Sequence, residues 1–205
     1  MSTDVFLASH SAKKIAEMQR ILAEHVPGIR VLGLADVDEF DEPIEDEATF
    51  EGNALLKARA GVAATGLPTI ADDSGLCVDA LNGMPGVLSA RWAGRVKSDA
   101  ANNELLLEQM HDVPDVRRGA HFTCVIAFVM PNGHERVVEG RMNGRIIRET
   151  RGHGGFGYDV LFVPEEHSRA GLTSAELTPM EKDHISHRGR ALREIGPLIA
   201  ADLAG

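Results

Sequence analysis

The chain has only two cysteines, Cys77 and Cys124, in 205 residues. They stand far apart inside apolar runs. That excludes a disulfide framework and a cysteine zinc site, and both read as reduced core residues. No apolar run approaches the ~20 residues that cross a bilayer. The opening MSTDVFLASHS has neither the basic segment nor the long apolar stretch of a secretory signal. A cytoplasmic protein is expected. Positive charge is also scarce: 21 Lys and Arg stand against 31 Asp and Glu, a net charge of −10. Such a balance argues against a nucleic-acid polymer as partner. It still admits a nucleotide, whose phosphates need only a few local lysines and a metal. No GxxxxGK[ST] occurs, so there is no Walker P-loop. There are no internal repeats and no low-complexity linkers. With 43% apolar residues, the chain fits one large domain or two small lobes around a real core.

The most informative stretch is residues 66–95. Leu67 to Ala71 is short and apolar and predicts a buried strand. It runs into Asp72-Asp73-Ser74-Gly75. Two adjacent carboxylates there need partners, because like charges and desolvation both oppose ionisation. A divalent cation would supply one, and all-oxygen ligands suit Mg²⁺ or Mn²⁺. Ligands also gather where strands of open α/β sheets end. The same four residues equally spell an ordinary turn after a strand.

Taken in order, Val5 to Ala8 predicts a first strand. Ser9-His10-Ser11-Ala12-Lys13-Lys14 opens a helix carrying Ile15, Met18, Ile21 and Leu22 at helical spacing. A helix start offers free N–H groups to a phosphate, and Lys14 adds charge; a Ser N-cap with surface lysines is the plainer account. Ile29 to Leu34 predicts a second strand. Residues 36–47 hold eight carboxylates in twelve positions, a run that is usually a solvated face. Thr49 is a fitting cap for a helix to Ala64, on which Asn53 and Lys57 share a face with Leu56 and Ala60 beside them. Leu76 to Val78 resumes a strand after the Asp-Ser-Gly turn. Ser98 or Asp99 caps a helix with Leu105, Leu106 and Met110. Ala120 to Met130, the turn Pro131-Asn132-Gly133 and Arg136 to Val138 form a hairpin, so the sheet is expected to be mixed. Gly144 to Ile147 predicts one more short strand.

Residues 151–159 place four glycines in six positions before the apolar strand Val160 to Val163. Glycine lets backbone approach a ligand closely. Phe156, Tyr158 and Asp159 within it could stack on and hydrogen-bond a base, or the segment is a surface loop. Thr178-Pro179-Met180-Glu181 is a strong helix start, and His187-Arg188-Gly189 is expected to interrupt that helix before Ala191.

Together, ASHSAKK, TFEGNALLKA, ADDSGL with PGVLSARW, GGFGYD and EKDHISHRGRAL resemble the inosine triphosphate pyrophosphatase family, bacterial hydrolases of non-canonical purine nucleoside triphosphates. The stretches occur in the family's order and cover nearly the whole chain. The resemblance implies an elongated α/β fold with a central mixed, twisted sheet, in one domain of two lobes with a cleft between them. It implies a homodimer and hydrolysis of ITP, dITP and XTP to monophosphate and pyrophosphate with Mg²⁺, Mn²⁺ being possible. By matching position, Asp73 is the catalytic acid–base group and a metal ligand, with Glu45 the partner carboxylate; Glu42 and Glu47 stand near it in the same loop. Ser9, His10, Ser11, Ala12, Lys13 and Lys14 match the phosphate-binding loop, and Ser74 a substrate contact. Phe156, Gly157, Tyr158, Asp159, Lys182, His187 and Arg188 match the nucleotide and base contacts. In one departure, Ser11 stands where the family usually has Asn, and His10 where it often has Gly.

The chemistry expected from this set is attack of water on the α-phosphorus, with Asp73 orienting or deprotonating the water and Lys14 and Lys57 balancing phosphate charge. His and Arg donors facing position 6 of a purine satisfy a carbonyl, whereas the amino group of adenine sets donor against donor. Two alternatives remain open at this level: a metal-dependent pyrophosphatase of other modified nucleotides, and a nucleotide-binding protein without catalysis.

Overall fold

The computed structural model describes residues 3–204. The strands are β1 (Thr3–Leu7), β2 (Ile29–Leu32), β3 (Thr69–Val78), β4 (Gly119–Val129), β5 (Glu135–Ile146) and β6 (Phe162–Pro164). The α-helices are α1 (Ala12–Ala23), α2 (Phe50–Thr65), α3 (Asp99–Gln109), α4 (Pro179–Ile185) and α5 (His187–Ala204). One six-stranded sheet runs in the order β2-β1-β3-β4-β5-β6. β1 is parallel to both β2 and β3, and β5 is antiparallel to β6, so the sheet is mixed as the sequence implies. Among the described residues no helix is long and apolar enough to cross a membrane.

The chain divides into two compact units. One holds the described residues up to Asp73, Val125–Glu139 and those from Arg190 onward; the other holds Ser74–Cys124 and Gly140–Gly189. In the first unit α2 starts where Thr49 accepts a hydrogen bond from the Gly52 N–H and stops at Gly66, whose φ of 69° is left-handed. Its buried face is Asn53, Ala54, Ala58 and Gly61, not the Leu56 and Ala60 side. The reason is close approach. A Cβ on Gly61 would sit 2.6 Å from Thr69 Cγ2 and 2.9 Å from the Phe6 ring. Small residues on this face bring the helix down onto β1 and β3, against Ala71, Val125, Ala127 and Val129.

In the second unit Leu76, Val78, Leu106, Met110, Phe122, Met142, Ile146, Leu161 and Phe162 form the core, joined by Tyr158 and Ile185. Arg118 is 2% exposed, yet pairs chiefly with main chain. Its guanidinium donates to the carbonyls of Ile146 (2.8 Å), Met110 (2.7 Å), Ile147 (3.0 Å) and Val113 (3.3 Å). Burial pushes its pKa down from the usual arginine value, with Arg148 adding to the shift. The planar fork is what lets one side chain tie α3's end to the end of β5.

Five local expectations change. Asp72 to Gly75 is not a turn: β3 runs unbroken through it for ten residues, and the chain passes from the first unit to the second inside this strand. The two short strands expected at 136–138 and 144–147 are one strand, β5. His187-Arg188-Gly189 does not break the last helix but forms the first turn of α5; the break is at Ser186, whose side chain accepts from the Gly189 N–H at 3.0 Å. The strand expected at 160–163 is confined to β6, and β2 stops at Leu32 because Gly33 begins a 3₁₀ turn.

Two outcomes follow from this packing. Arg118→Met takes one donor from each of four carbonyls, of which Val113 keeps Arg148 and Met110 keeps the Val113 N–H, so it should lower stability by about 3 kcal/mol, read by urea unfolding; a loss under ~1 kcal/mol contradicts the tie described. Tyr158 is the only tyrosine. Burial, then the Asp99 charge, raise its pKa well above the ordinary 10.0. The unfolded chain therefore releases this proton first, and stability declines as pH rises above about 10. Near-ultraviolet titration should show no tyrosinate until the protein unfolds; ionisation near the ordinary value in the folded protein refutes the burial argument.

Candidate active site

The expected site residues fall into two groups, one in each unit. In the first unit they converge on β3. Successive residues of a strand point to opposite faces, so Asp72 and Asp73 cannot share one partner easily. Asp72, 8% exposed, receives Lys14 Nζ on both oxygens at 2.8 Å. Asp73 faces α2: Asn53 Nδ2 donates to its Oδ2 at 3.0 Å, and Lys57 Nζ lies 3.9 Å from its Oδ1. Lys57 also donates to Glu45 Oε1 and to the Asp72 carbonyl, both at 2.7 Å. Asn53, only 1% exposed, accepts from the Glu47 N–H at 3.1 Å, which fastens the acidic loop above it. The spacing of Asn53 and Lys57 thus places an amide and an ammonium on one carboxylate.

This arrangement selects among the loop carboxylates. Glu45 shares Lys57 with Asp73, whereas Glu42 Oε1 pairs with His10 Nε2 at 2.8 Å on the surface. Among the described residues no three His, Cys, Asp or Glu side chains gather in a way that would hold a metal. Two carboxylates with hard oxygens are what Glu45 and Asp73 offer. Mg²⁺ commonly takes one or two protein carboxylates and completes its shell with water and substrate phosphate, so the donor set fits that ion.

The start of α1 is built as expected. Ser11 caps it, accepting from the Lys14 N–H at 3.3 Å, and Ser9 Oγ accepts from the Ser11 N–H at 3.2 Å. No acidic residue stands in the first turn, and Ala12 and Lys13 are exposed. The helix end therefore keeps its positive polarity toward an anion. Lys14's ammonium is held in place by Asp72.

In the second unit Phe156 is 62% exposed and Lys182 Nζ lies 5.0 Å from its ring centre. Lys182 also donates to Asp159 Oδ2 at 2.5 Å, and the same oxygen accepts from the Phe156 N–H at 2.8 Å. Asp159, 4% exposed, therefore shapes the loop. Tyr158 is equally buried and its hydroxyl donates to the Ser89 carbonyl at 2.9 Å. His187 stacks on Phe122 with ring centres 5.1 Å apart. Arg188 Nη2 reaches Ser74 Oγ at 3.5 Å, joining the first turn of α5 to β3.

The sequence reading missed the residues that carry this loop. Asp99, Asn102 and Asn103 of α3 hold backbone on two sides. Asn102 accepts from the Ala93 N–H at 2.7 Å and donates to the Ser89 and Ala90 carbonyls. Asp99 and Asn103 hold Gly157. Ser89 itself accepts from the Leu76 N–H at 2.9 Å, just beyond Ser74 on β3. A signal was present: two adjacent asparagines inside a helix cost up to ~0.7 kcal/mol each against alanine, and here both are buried.

Residues 5–197 match the Ham1 family. Over 198 residues the chain is 59% identical to the dITP/XTP pyrophosphatase of Nocardia farcinica, covering 96% of this chain and 95% of that protein. It is 56% identical over 205 residues to the dITP/XTP pyrophosphatase of Corynebacterium efficiens, covering 98% and 99%. A crystal structure of the nucleoside-triphosphatase / dITP/XTP pyrophosphatase of Mycobacterium abscessus matches with a TM-score of 0.82 at 54% identity, covering 94% of this chain and 98% of that one. The Staphylococcus aureus Ham1 protein matches with a TM-score of 0.88 at 37% identity, covering 98% and 100%. The likeness runs through every stretch that supplies the two residue groups, and the chain belongs to the Ham1 family.

Proposed function

We propose that this protein hydrolyses non-canonical purine nucleoside triphosphates, dITP, ITP and XTP among them, to the monophosphate and pyrophosphate. What carries the reading is 59% identity, over nearly the full length, to a protein named as a dITP/XTP pyrophosphatase. The carboxylate–lysine cluster on β3 is chemically suited to it.

In this reading Asp73 accepts the proton of a water molecule. The water oxygen bonds to the α-phosphorus, the bond to the α–β bridging oxygen breaks, and pyrophosphate leaves. Asn53 fixes one oxygen of Asp73 and so aims the other. Asp72 is the holder of Lys14. Lys14 and Lys57, positioned before substrate arrives, offset phosphate charge without reorganising. The N–H groups of Ala12 and Lys13 at the start of α1 add donors for phosphate oxygens. Glu45 and Asp73 would hold Mg²⁺, which supplies a lowered water pKa and charge compensation. In the second unit Phe156 offers a face to a purine, and His187 and Arg188 offer donors to its 6-carbonyl. A homodimer in the cytoplasm is part of the same proposal, and a gel-filtration mass tests the dimer.

The test is a panel of ITP, dITP, XTP, ATP and GTP with and without Mg²⁺, assaying both products. Pyrophosphate and monophosphate from ITP, dITP and XTP, with ATP poor, are expected. Orthophosphate as the product rejects attack at the α-phosphorus, and equal rates on ATP and ITP reject selection by the base. Asp73→Asn keeps shape and a bond to Asn53, so it should stay folded while kcat drops by about 10²–10⁴-fold. Wild-type turnover by that variant rejects the assignment.

A further inference from the structure

Gly157 is gripped at both ends by one helix. Its N–H donates to Asp99 Oδ2 at 2.6 Å, and its carbonyl accepts from Asn103 Nδ2 at 2.9 Å. Asp99 and Asn103 are four apart on α3, so they present side chains to the same place. Asn103 Nδ2 also donates to the Asp99 carbonyl at 2.8 Å, which locks its rotamer. Gly157 has φ 60°, a left-handed conformation that favours glycine, and it lies between Phe156 and Tyr158.

The neighbours are pinned too. The Phe156 N–H is held by Asp159, and the Tyr158 hydroxyl by the Ser89 carbonyl. Every residue of 156–158 is therefore tied down, while the Phe156 ring itself stays 62% exposed. A loop whose only purpose is to connect two elements has no need of such restraint on one large exposed ring. Restraint of this kind is what a stacking platform needs, because stacking depends on offset and tilt.

We infer that Asp99 and Asn103 are positioning residues for base selection, acting through Gly157 to fix the plane of Phe156. The inference rests on the proposed pyrophosphatase reading. It adds a helix that contributes no side chain to the substrate. The discriminating power then lies partly in rigidity: a base set at one height presents its 6-substituent to His187 and Arg188 at one angle. A loosened platform admits compromise poses and blurs the difference between carbonyl and amino groups.

Asp99→Ala and Asn103→Ala should each raise KM for ITP by about tenfold with kcat little changed, and narrow the ITP:ATP ratio of kcat/KM by about tenfold. Inorganic tripolyphosphate has no base, so its inhibition constant should not move. Asp99→Asn keeps an acceptor oxygen and should retain most of the wild-type KM. An unchanged KM for ITP overturns the inference, and so does an equal weakening of tripolyphosphate. If Asn103→Ala fails to fold, Asp99→Ala decides, because Ser98 still caps α3 through the Ala101 N–H. A wild-type protein inert toward ITP would overturn the functional reading instead. Amide exchange at Gly157, expected to be at least about tenfold faster in Asp99→Ala, would then still report whether the clamp holds the loop.

Discussion

Two carboxylates side by side in a nearly buried strand are the constraint from which the first unit's site follows. Neither Asp72 nor Asp73 can remain ionised there without compensation. Because they point to opposite faces, they must be compensated from opposite sides. The fold answers with two helices. Lys14 arrives from the first turn of α1 and Asn53 with Lys57 from α2. The docking of each helix onto the strand and the charge balance of the site are thus one requirement. It also explains why α2 is lined with alanine and glycine on its inner face: only close approach puts a short asparagine within 3.0 Å of Asp73.

The second unit solves a different problem by different means. Beside one buried ion pair, Lys182 with Asp159, it has a glycine-rich loop to immobilise. It does so with buried amides, a carboxylate and a phenol directed at main chain. Asn102, Asn103, Ser89 and Tyr158 are all under 9% exposed and each bonds to backbone. Backbone partners are fixed by the fold, so such bonds hold position well. They give little away in a sequence, since the partner is any carbonyl or N–H.

That difference decides how much could be read from the chain alone. Most helix starts were legible, because a cap is local chemistry: Thr49 and Thr178 cap the helices expected of them, and Ser11 and Ser98 are caps among the residues on offer, while the start of α5 was not foreseen. The charged cluster was legible in outline through its spacing and its family resemblance. The division of labour inside it was not. An Asp-Asp-Ser-Gly string reads as a turn or a metal loop, and only pairing with neighbouring strands holds it extended. That same extension separates the two carboxylates and gives one to a lysine. The role of Tyr158 was also illegible, because an aromatic in a glycine-rich loop looks like a ligand contact until its burial is seen. Asp99 and Asn103 act on a residue more than fifty positions away, and nothing local announces that.

On the proposed reading, the geometry of α5 bears on the base. By beginning at His187, after the break at Ser186, the helix puts His187 and Arg188 in its first turn. On the proposed reading, the first-turn N–H groups and these two side chains are the donors available to an acceptor. His187 is held flat against Phe122, and Arg188 reaches Ser74. A purine carbonyl meets such a surface as a matched acceptor. An exocyclic amino group meets it as another donor and strands buried hydrogen-bonding capacity on both sides, a mismatch that costs far more than a lost methylene. On the proposed reading, selectivity against adenine is therefore a property of where one helix begins, and the chain sets that point at Ser186, whose side chain caps the turn.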